Sequence, residues 1–419
     1  MKFKKFNYIG KEEIQAVNKV LKTGILSQYL GEKSKDFYGG KNVRRFEKNW
    51  SKYFKVKYAA AVNSWSSGLT CSVGAIDVEP GDEIILPTLT MTACAAAVLH
   101  WNAIPVFADV DPKTYTISLD SIKKNFSKRT KAIMAVDMFG LSCDINSIMK
   151  FAIKKKTKVI TDSAQAIGSK YHKKFTGTSS HVGGYSLNYH KHIHTGEGGI
   201  CVTNNKKILK KIIHIRNHGE AVNNSLKKDD LINNIGNNFR LGEIESAIGI
   251  QQLKKLKKII NKIQNNAEIL NKELKKLKGI ETPFVPKNQT HSYYVYAIRI
   301  SDNLLKLYKR SKITYELKKL GVSIREGCSN LHLQNIYQQK IAYGKRNFPW
   351  VGIKNKRSFI NYKKGICPNA EKLKDESMIA ILMTEYDYSK KDMIKIYKAF
   401  EKVWNKLKIN KRLNNIIKK

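Results

Sequence analysis

Between Tyr58 and Thr161 the chain alternates short apolar runs with amphipathic stretches, and no other feature restricts its fold as much. Strands read at Tyr58–Val62, Glu83–Leu86, Ile104–Ala108, Ala132–Asp137 and Val159–Thr161. Helical spacing of apolar residues reads at Gly68–Ile76, Thr92–Trp101, Leu119–Asn125 and Ile145–Lys154. Parallel strands need a crossover connection, and a helix between successive strands supplies one. The alternation therefore predicts an α/β fold with a mostly parallel sheet covered by helices. Gly199–Thr203 reads as a further strand, and Lys11–Lys22 and Val43–Tyr53 as amphipathic helices ahead of the sheet. Leu241 to Leu277 reads as one long helix or two, with Ile244, Ala247, Ile248, Ile250 and Leu253 at helical spacing.

A chain of 419 residues is expected to divide into more than one unit. The stretch Gly279–Gln289, with Pro283 and Pro286, is the best boundary. It separates a large unit, 1–280, from a smaller C-terminal α/β unit, 281–419. The second unit reads as strand Tyr293–Ile300 and helices Leu304–Leu320 and Lys390–Leu407. Residues 340–366 read as irregular and aromatic-rich, and the basic tail Lys406–Lys419 as frayed.

The net charge of +43 raises the question of a nucleic-acid or membrane partner. The lysines are spread along the chain, no RNA-binding or zinc-finger pattern accompanies them, and no apolar stretch has the length of a bilayer span. Neither partner is expected, although a positive field favours an anionic substrate. Cysteines 71, 94, 143, 201, 328 and 367 form no Cys-x-x-Cys pair. They predict reduced, buried thiols, and with no apolar h-region at the N-terminus the expected location is the cytoplasm.

The chemistry concentrates in Gly184-Tyr-Ser-Leu-Asn-Tyr-His-Lys191-His-Ile-His-Thr-Gly-Glu-Gly-Gly199. A lysine amine beside a hydroxyl and a glycine turn suits an enzyme that forms a Schiff base with pyridoxal 5′-phosphate (PLP). Upstream, the strand Val159-Ile160-Thr161 runs into Asp162, at the strand end where ligands bind in such sheets. Asp162 fits either a partner for a pyridine nitrogen or a helix N-cap. Gln165 follows one helical turn later. Ser64 to Ser67 and Ser186 supply hydroxyls and amides for a phosphate, or ordinary caps. His190, His192 and His194 alternate around Lys191, but no carboxylate or cysteine completes a metal set, so no metal is expected.

With these segments in this order, the chain resembles the DegT/DnrJ/StrS sugar aminotransferases, a branch of the fold-type I PLP-dependent enzymes. The segments carrying the resemblance include Arg45-Phe46-Glu47, Ile104 to Asp111, Asp162-Ser-Ala-Gln-Ala, Lys191 to Gly199 and Gly236-Asn-Asn-Phe-Arg240. They continue with Glu243 to Leu253, Leu331-His332-Leu333-Gln334 and Cys367 to Glu371. The resemblance implies Lys191 as the Schiff-base lysine and Asp162 as the pyridinium partner. It places Gln165 beside the ring's phenolic oxygen and Ser66 and Ser186 on the phosphate. Asn238 would reach the phosphate of a neighbouring subunit, giving a homodimer with shared sites. Two departures stand out: Trp65-Ser66 replaces the family's usual Gly-Thr, and Met91 holds the position of an aromatic ring over the cofactor. Tyr189, His332 and the 340–366 segment are positional candidates for the substrate.

The activity implied is transamination from glutamate or glutamine to a keto sugar, nucleotide-linked, in amino-sugar biosynthesis for surface polysaccharide or glycoconjugate. A keto-cyclitol acceptor is the rival within the fold. A PLP-dependent sugar dehydratase is a second, and it carries histidine where this chain has Lys191. A nucleic-acid-binding regulator on the same fold is a remote alternative.

Overall fold

The computed structural model describes residues 1–224, 226–351 and 360–417. Strands β1 (Tyr58–Val62), β2 (Glu83–Pro87), β3 (Ile104–Ala108), β4 (Thr130–Val136) and β5 (Lys158–Asp162) fall where the apolar runs predict them. A small hairpin follows, β6 (Lys170–Tyr171) and β7 (Lys174–Phe175), and then β8 (Val182–Ser186) and β9 (Gly199–Thr203). Seven of these form one sheet in the order β1-β9-β8-β5-β4-β2-β3. Only β9 runs antiparallel to its neighbours, β1 and β8. The remaining pairs are parallel, as the alternation predicts.

Eight helices surround this sheet or brace it: α1 (Lys11–Leu21), α2 (Lys41–Phe54), α3 (Trp65–Gly74), α4 (Ala93–His100), α5 (Leu119–Asn125), α6 (Ile145–Lys154), α7 (Lys206–Arg216) and α8 (Glu243–Leu274). The α8 region is a single helix of 32 residues. One face of it, including Ile250, Leu253, Leu256, Ile260, Ile263, Leu270 and Leu274, is buried against α1, α2 and the helix Lys390–Lys406. Each such side chain contributes about 1.5–3 kcal/mol by leaving water, which holds so long a helix in place.

A second, antiparallel sheet is built from β10 (Ile280–Glu281), β11 (Val295–Ile300), β12 (Arg325–Glu326) and β13 (Met378–Leu382), in the order β10-β11-β13-β12. The helix expected over Leu304–Leu320 is two helices, Asp302–Leu307 and Arg310–Lys319. Tyr308 between them is extended, and its hydroxyl donates to the Leu407 carbonyl at 2.9 Å. The expected frayed tail contains a helix, Ile409–Ile417, anchored by the buried Ile409 and Leu413.

Polar bonds join the two sheets' surroundings. Asp109, just past β3, accepts from the Asn369 and Ala370 N–H groups, each at 3.0 Å. The aromatic-rich segment docks on α4 and β3: Tyr343 bonds the Leu99 carbonyl at 2.8 Å, and Tyr362 bonds the Pro105 carbonyl at 2.7 Å. Its central residues, 352–359, lie outside the described residues. All six cysteines are unpaired, five of them buried and Cys328 partly so. No helix among the described residues is long and apolar enough to cross a membrane.

Candidate active site

Asp162 closes the C-terminal end of β5 and is buried there, 5% exposed. Its Oδ1 accepts from Trp65 Nε1 at 2.7 Å and from the Ala164 N–H at 3.0 Å. Among the described residues its Oδ2 accepts only from the Cys94 thiol, at 3.1 Å, a weak donor. The N-cap alternative for Asp162 therefore holds only in part. One oxygen caps the following turn, and the other keeps acceptor capacity for a ligand N–H. Trp65 and Cys94 reach this carboxylate from the first turns of α3 and α4, a convergence that no local sequence pattern shows.

Trp65 also explains two glycines of the motif. A Cβ on Gly184 would meet Trp65 Cζ3 at 2.0 Å and the Ile200 carbonyl at 2.4 Å, and one on Gly199 would meet the Trp65 backbone N at 2.6 Å. These two make room for the start of α3 rather than for a ligand. Gly196 and Gly198 turn the loop with φ of 88° and 156°. That loop is closed by Leu187 N–H to the Gly198 carbonyl at 2.8 Å and Thr195 N–H to the Leu187 carbonyl at 3.0 Å.

Lys191 sits in this closed loop, 7% exposed. Burial lowers its amine from 10.5 to about 8, against the charge of Asp162, which raises it. An amine so placed is part neutral near pH 8, the state needed to attack an aldehyde. Its Nζ lies 4.3 Å from the centroid of the Tyr294 ring. Gln165 accepts the Phe139 N–H on Oε1 at 2.9 Å, so its amide NH₂ is the donor left for an oxygen.

The resemblance assigns Ser66 and Ser186 to the phosphate. Ser64 caps α3, accepting the Ser67 N–H at 3.0 Å. Ser66 is exposed at that helix start, while Ser186 is buried at the end of β8. Ser66 and Met91 line one cavity of about 300 Å³ together with Thr70, Ala93 and His100. Met91 is 58% exposed, and its Sδ lies 3.0 Å from the Ala93 N–H. Asn238 is exposed on a loop held next to α3, with its carbonyl 3.3 Å from Asn63 Nδ2. Donors for a phosphate, an acceptor for a pyridinium N–H, an amide donor and a buried amine together match the groups of PLP. Lys191, Asp162, Gln165, Ser66 and Ser186 are the residues that would hold it.

The three histidines have separate surroundings. His190 Nδ1 is 2.8 Å from the Tyr294 hydroxyl. His192 is fully buried with Nε2 2.9 Å from the Ser292 carbonyl, and His194 Nδ1 accepts the Gly196 N–H at 3.3 Å. Tyr189 projects outward, 68% exposed. His332 requires a correction. It is 0% exposed, with Nδ1 2.6 Å from Thr88 Oγ1 and Nε2 3.0 Å from Glu371 Oε1. Both ring nitrogens are engaged, so His332 is a buried strut and not a pocket wall. Asp137, which the motifs do not mark, lies beside the site. It is buried, bonded by Ser163 at 2.6 Å, and burial pushes its carboxyl up to about 6.

Residues 7–351 match the model of the DegT/DnrJ/EryC1/StrS aminotransferase family. The chain belongs to this family. It is therefore a PLP-dependent aminotransferase. Among curated relatives, the GDP-perosamine synthase of Escherichia coli O157:H7 is 33% identical, over 62% of this chain and 70% of that one. The L-glutamine:2-deoxy-scyllo-inosose aminotransferase of Streptomyces kanamyceticus is 27% identical over 77% of each chain. Among solved structures, an aminotransferase from Psychrobacter cryohalolentis superposes with a TM-score of 0.81 at 26% identity, covering 97% of this chain and all of that one.

Proposed function

We propose that this aminotransferase carries an amino group from glutamate or glutamine to a nucleotide-linked keto sugar, in the making of amino sugars for surface polysaccharide or glycoconjugate. The observation that carries the reading is the buried Lys191 amine, lowered to about 8, within reach of the charge of the buried Asp162. When bound, PLP supplies the electron-withdrawing ring that acidifies the donor's Cα–H. Lys191 then takes and returns that proton as general base and acid. Asp162 would keep the ring nitrogen protonated, and Gln165 would donate to the ring oxygen. Ser66 and Ser186, with the amides opening α3, would hold the phosphate, and Met91 would be the side chain offered to the ring. Tyr189, exposed near Lys191, and the 340–366 segment are the substrate-facing candidates that remain.

The net charge of +43 favours a diphosphate-linked acceptor, and the similarity to GDP-perosamine synthases points the same way. Similarity to the inosose aminotransferase over 77% of each chain favours a keto-cyclitol as the second reading. A panel of nucleotide-linked keto sugars and free inososes, offered with glutamate and glutamine and read by mass spectrometry, separates them. Amination of a nucleotide sugar is expected. Turnover of inososes alone would select the second reading, and loss of a hydroxyl without amine gain would select dehydration.

The active unit in this reading is a homodimer with shared sites, and the chain is a large unit, 1–280, followed by a smaller one, 281–419. The Asn238 loop is flanked by exposed apolar side chains, Leu26 (47%), Leu30 (48%) and Ile235 (74%). A second copy covering them supports that arrangement.

A further inference from the structure

Tyr294 lies immediately before β11, yet its ring face meets the Lys191 amine, with Nζ 4.3 Å from the ring centroid. The ring is fixed at both ends. Its hydroxyl is 2.8 Å from His190 Nδ1, and its main-chain carbonyl accepts the Met383 N–H at 3.1 Å. Thr384 Oγ1 donates to the His190 carbonyl at 2.8 Å, so the turn that carries Lys191 is stitched to the second sheet on both sides of the ring. Tyr294 is 8% exposed, so the contact is largely dry.

The groups around the amine come from three directions. Asp162 faces it from β5, His190 and His192 from its own turn, and Tyr294 from the edge of β11, while Arg325 on β12 acts on His190 and Tyr294. Burial, helped by the Lys191 charge, holds His190 down to about 4, and burial raises the Tyr294 phenol above its usual range. The His190–Tyr294 pair is therefore neutral and offers the amine no counter-charge. What it offers is the negative face of an aromatic ring, which attracts an ammonium and attracts it more strongly when water is excluded.

We propose that Tyr294, clamped by His190, is a positioning residue for Lys191: its ring face stabilises the ammonium form of the amine and ties the placement of that amine to the second sheet. The role rests on Lys191 being the reactive amine of the proposed transamination. A lysine that alternates between base and acid needs both protonation states within reach. Desolvation favours the free amine, and the ring opposes it without adding a charge that would compete with Asp162.

The test needs no turnover. The full chain without added cofactor is acetylated with acetic anhydride from about pH 6 to about pH 10, the range in which a lowered lysine amine titrates. Lys191 modification is read by mass spectrometry against exposed lysines. Only the unprotonated amine reacts, so ammonium stability moves the midpoint of the pH profile, whereas altered access moves only its plateau. Tyr294→Leu is expected to lower the midpoint, giving about a threefold to tenfold faster reaction at neutral pH. Tyr294→Phe keeps the ring and is expected to stay within about twofold of the parent. Should Tyr294→Leu fail to fold, Tyr294→Met, which removes the aromatic face but fills irregular space more readily, is expected to lower the midpoint in the same direction. An unmoved midpoint in the folded variant, or equal shifts in the Leu and Phe variants, overturns the role. A midpoint that shifts as expected in a protein that aminates no sugar would overturn the proposed function and leave this role standing.

Discussion

Trp65 Nε1 donates to Asp162 Oδ1 at 2.7 Å. The bond turns what reads as a departure in the phosphate loop into a support for the Asp162 carboxylate. The indole does not face the phosphate end; it lies on Gly68 and Gly184 beneath the start of α3, 5% exposed. With Oδ1 engaged by Trp65 and Ala164, Asp162 presents Oδ2 in a fixed orientation. A carboxylate so oriented loses no rotamer freedom when a pyridinium N–H arrives.

Trp65→Phe keeps a ring in the pocket but removes this donor. A hydrogen bond to a buried charge contributes about 1.5–3 kcal/mol, so the variant is expected to lose stability of that order. PLP affinity should fall with it, because Asp162 is then free to turn. Denaturant unfolding of the cofactor-free protein and a PLP titration measure the two effects. Unchanged values in both would remove Trp65 from the support of Asp162.

Gly68→Ala tests the same packing with a change of sign. A Cβ at 68 would sit 2.5 Å from Trp65 Cε3, with Cys201 Sγ next at 3.3 Å. In the parent, overpacking is expected to cost about 1–3 kcal/mol. In a Trp65→Ala background the obstruction is gone, and alanine within a helix is favoured over glycine by about 1 kcal/mol. Gly68→Ala should therefore destabilise the parent and stabilise the Trp65→Ala variant, as measured by thermal midpoints at one scan rate.

The same residues show what a linear reading could reach. Apolar runs expose β1 to β5, because buried parallel strands are apolar throughout. Strand β8 escapes it: two of the residues in Val182-Gly-Gly-Tyr-Ser are glycines, one of them making room for Trp65. Lys191, Asp162 and Gln165 are legible because strand ends and a glycine turn place them locally. Cys94 and Tyr294 are not, since they reach the site across 68 and 103 residues of chain respectively. His332 misleads for the converse reason. Its partners Thr88 and Glu371 lie 244 and 39 residues away, so nothing near it in sequence marks it as a strut. Helix α7 was within reach, with Ile208, Ile212 and Ile215 buried at helical spacing, but its lysines mask the stripe.

Lys191→Met should abolish turnover and stabilise the cofactor-free protein. A fall from 10.5 to about 8 corresponds to about 3 kcal/mol of unfavourable burial of the ammonium at neutral pH. Between pH 8 and 10.5 the unfolded chain holds a proton that the folded chain has released, so parental stability rises with pH across that window. The gain from Lys191→Met is expected in full below pH 8 and to vanish above about pH 10.5. Unfolding free energies at several pH values check it; a gain independent of pH would point to packing instead.

Acid should act through buried histidines. Burial lowers His192 to about 4 and His291 to about 3, from 6.5. Both folded values are depressed, so below pH 6.5 the unfolded chain takes protons that the folded chain refuses. Their contribution to stability is complete above pH 6.5 and is lost as pH falls toward 4 for His192 and toward 3 for His291. His192→Gln, which keeps a donor for the Ser292 carbonyl, is expected to flatten the fall of the thermal midpoint over that range. An unaltered slope would assign the acid sensitivity to other groups.

Sharing of sites between two copies is decided by complementation. In Asn238→Ala the phosphate would lose a contact, and in Lys191→Ala the reactive amine is gone, so each variant alone should be impaired. If each site takes Lys191 from one subunit and Asn238 from the other, a mixed dimer regenerates one intact site and one doubly altered site. Mixed dimers isolated through two different affinity tags should then show roughly half the parental rate, with one site of the two-fold pair restored. If both residues serve the same chain, neither site is intact, and the mixed dimer should be no faster than the Asn238→Ala protein at equal site concentration. That result would place Asn238 in the cofactor site of its own chain and leave the apolar rim of Leu26, Leu30 and Ile235 to be explained by another contact.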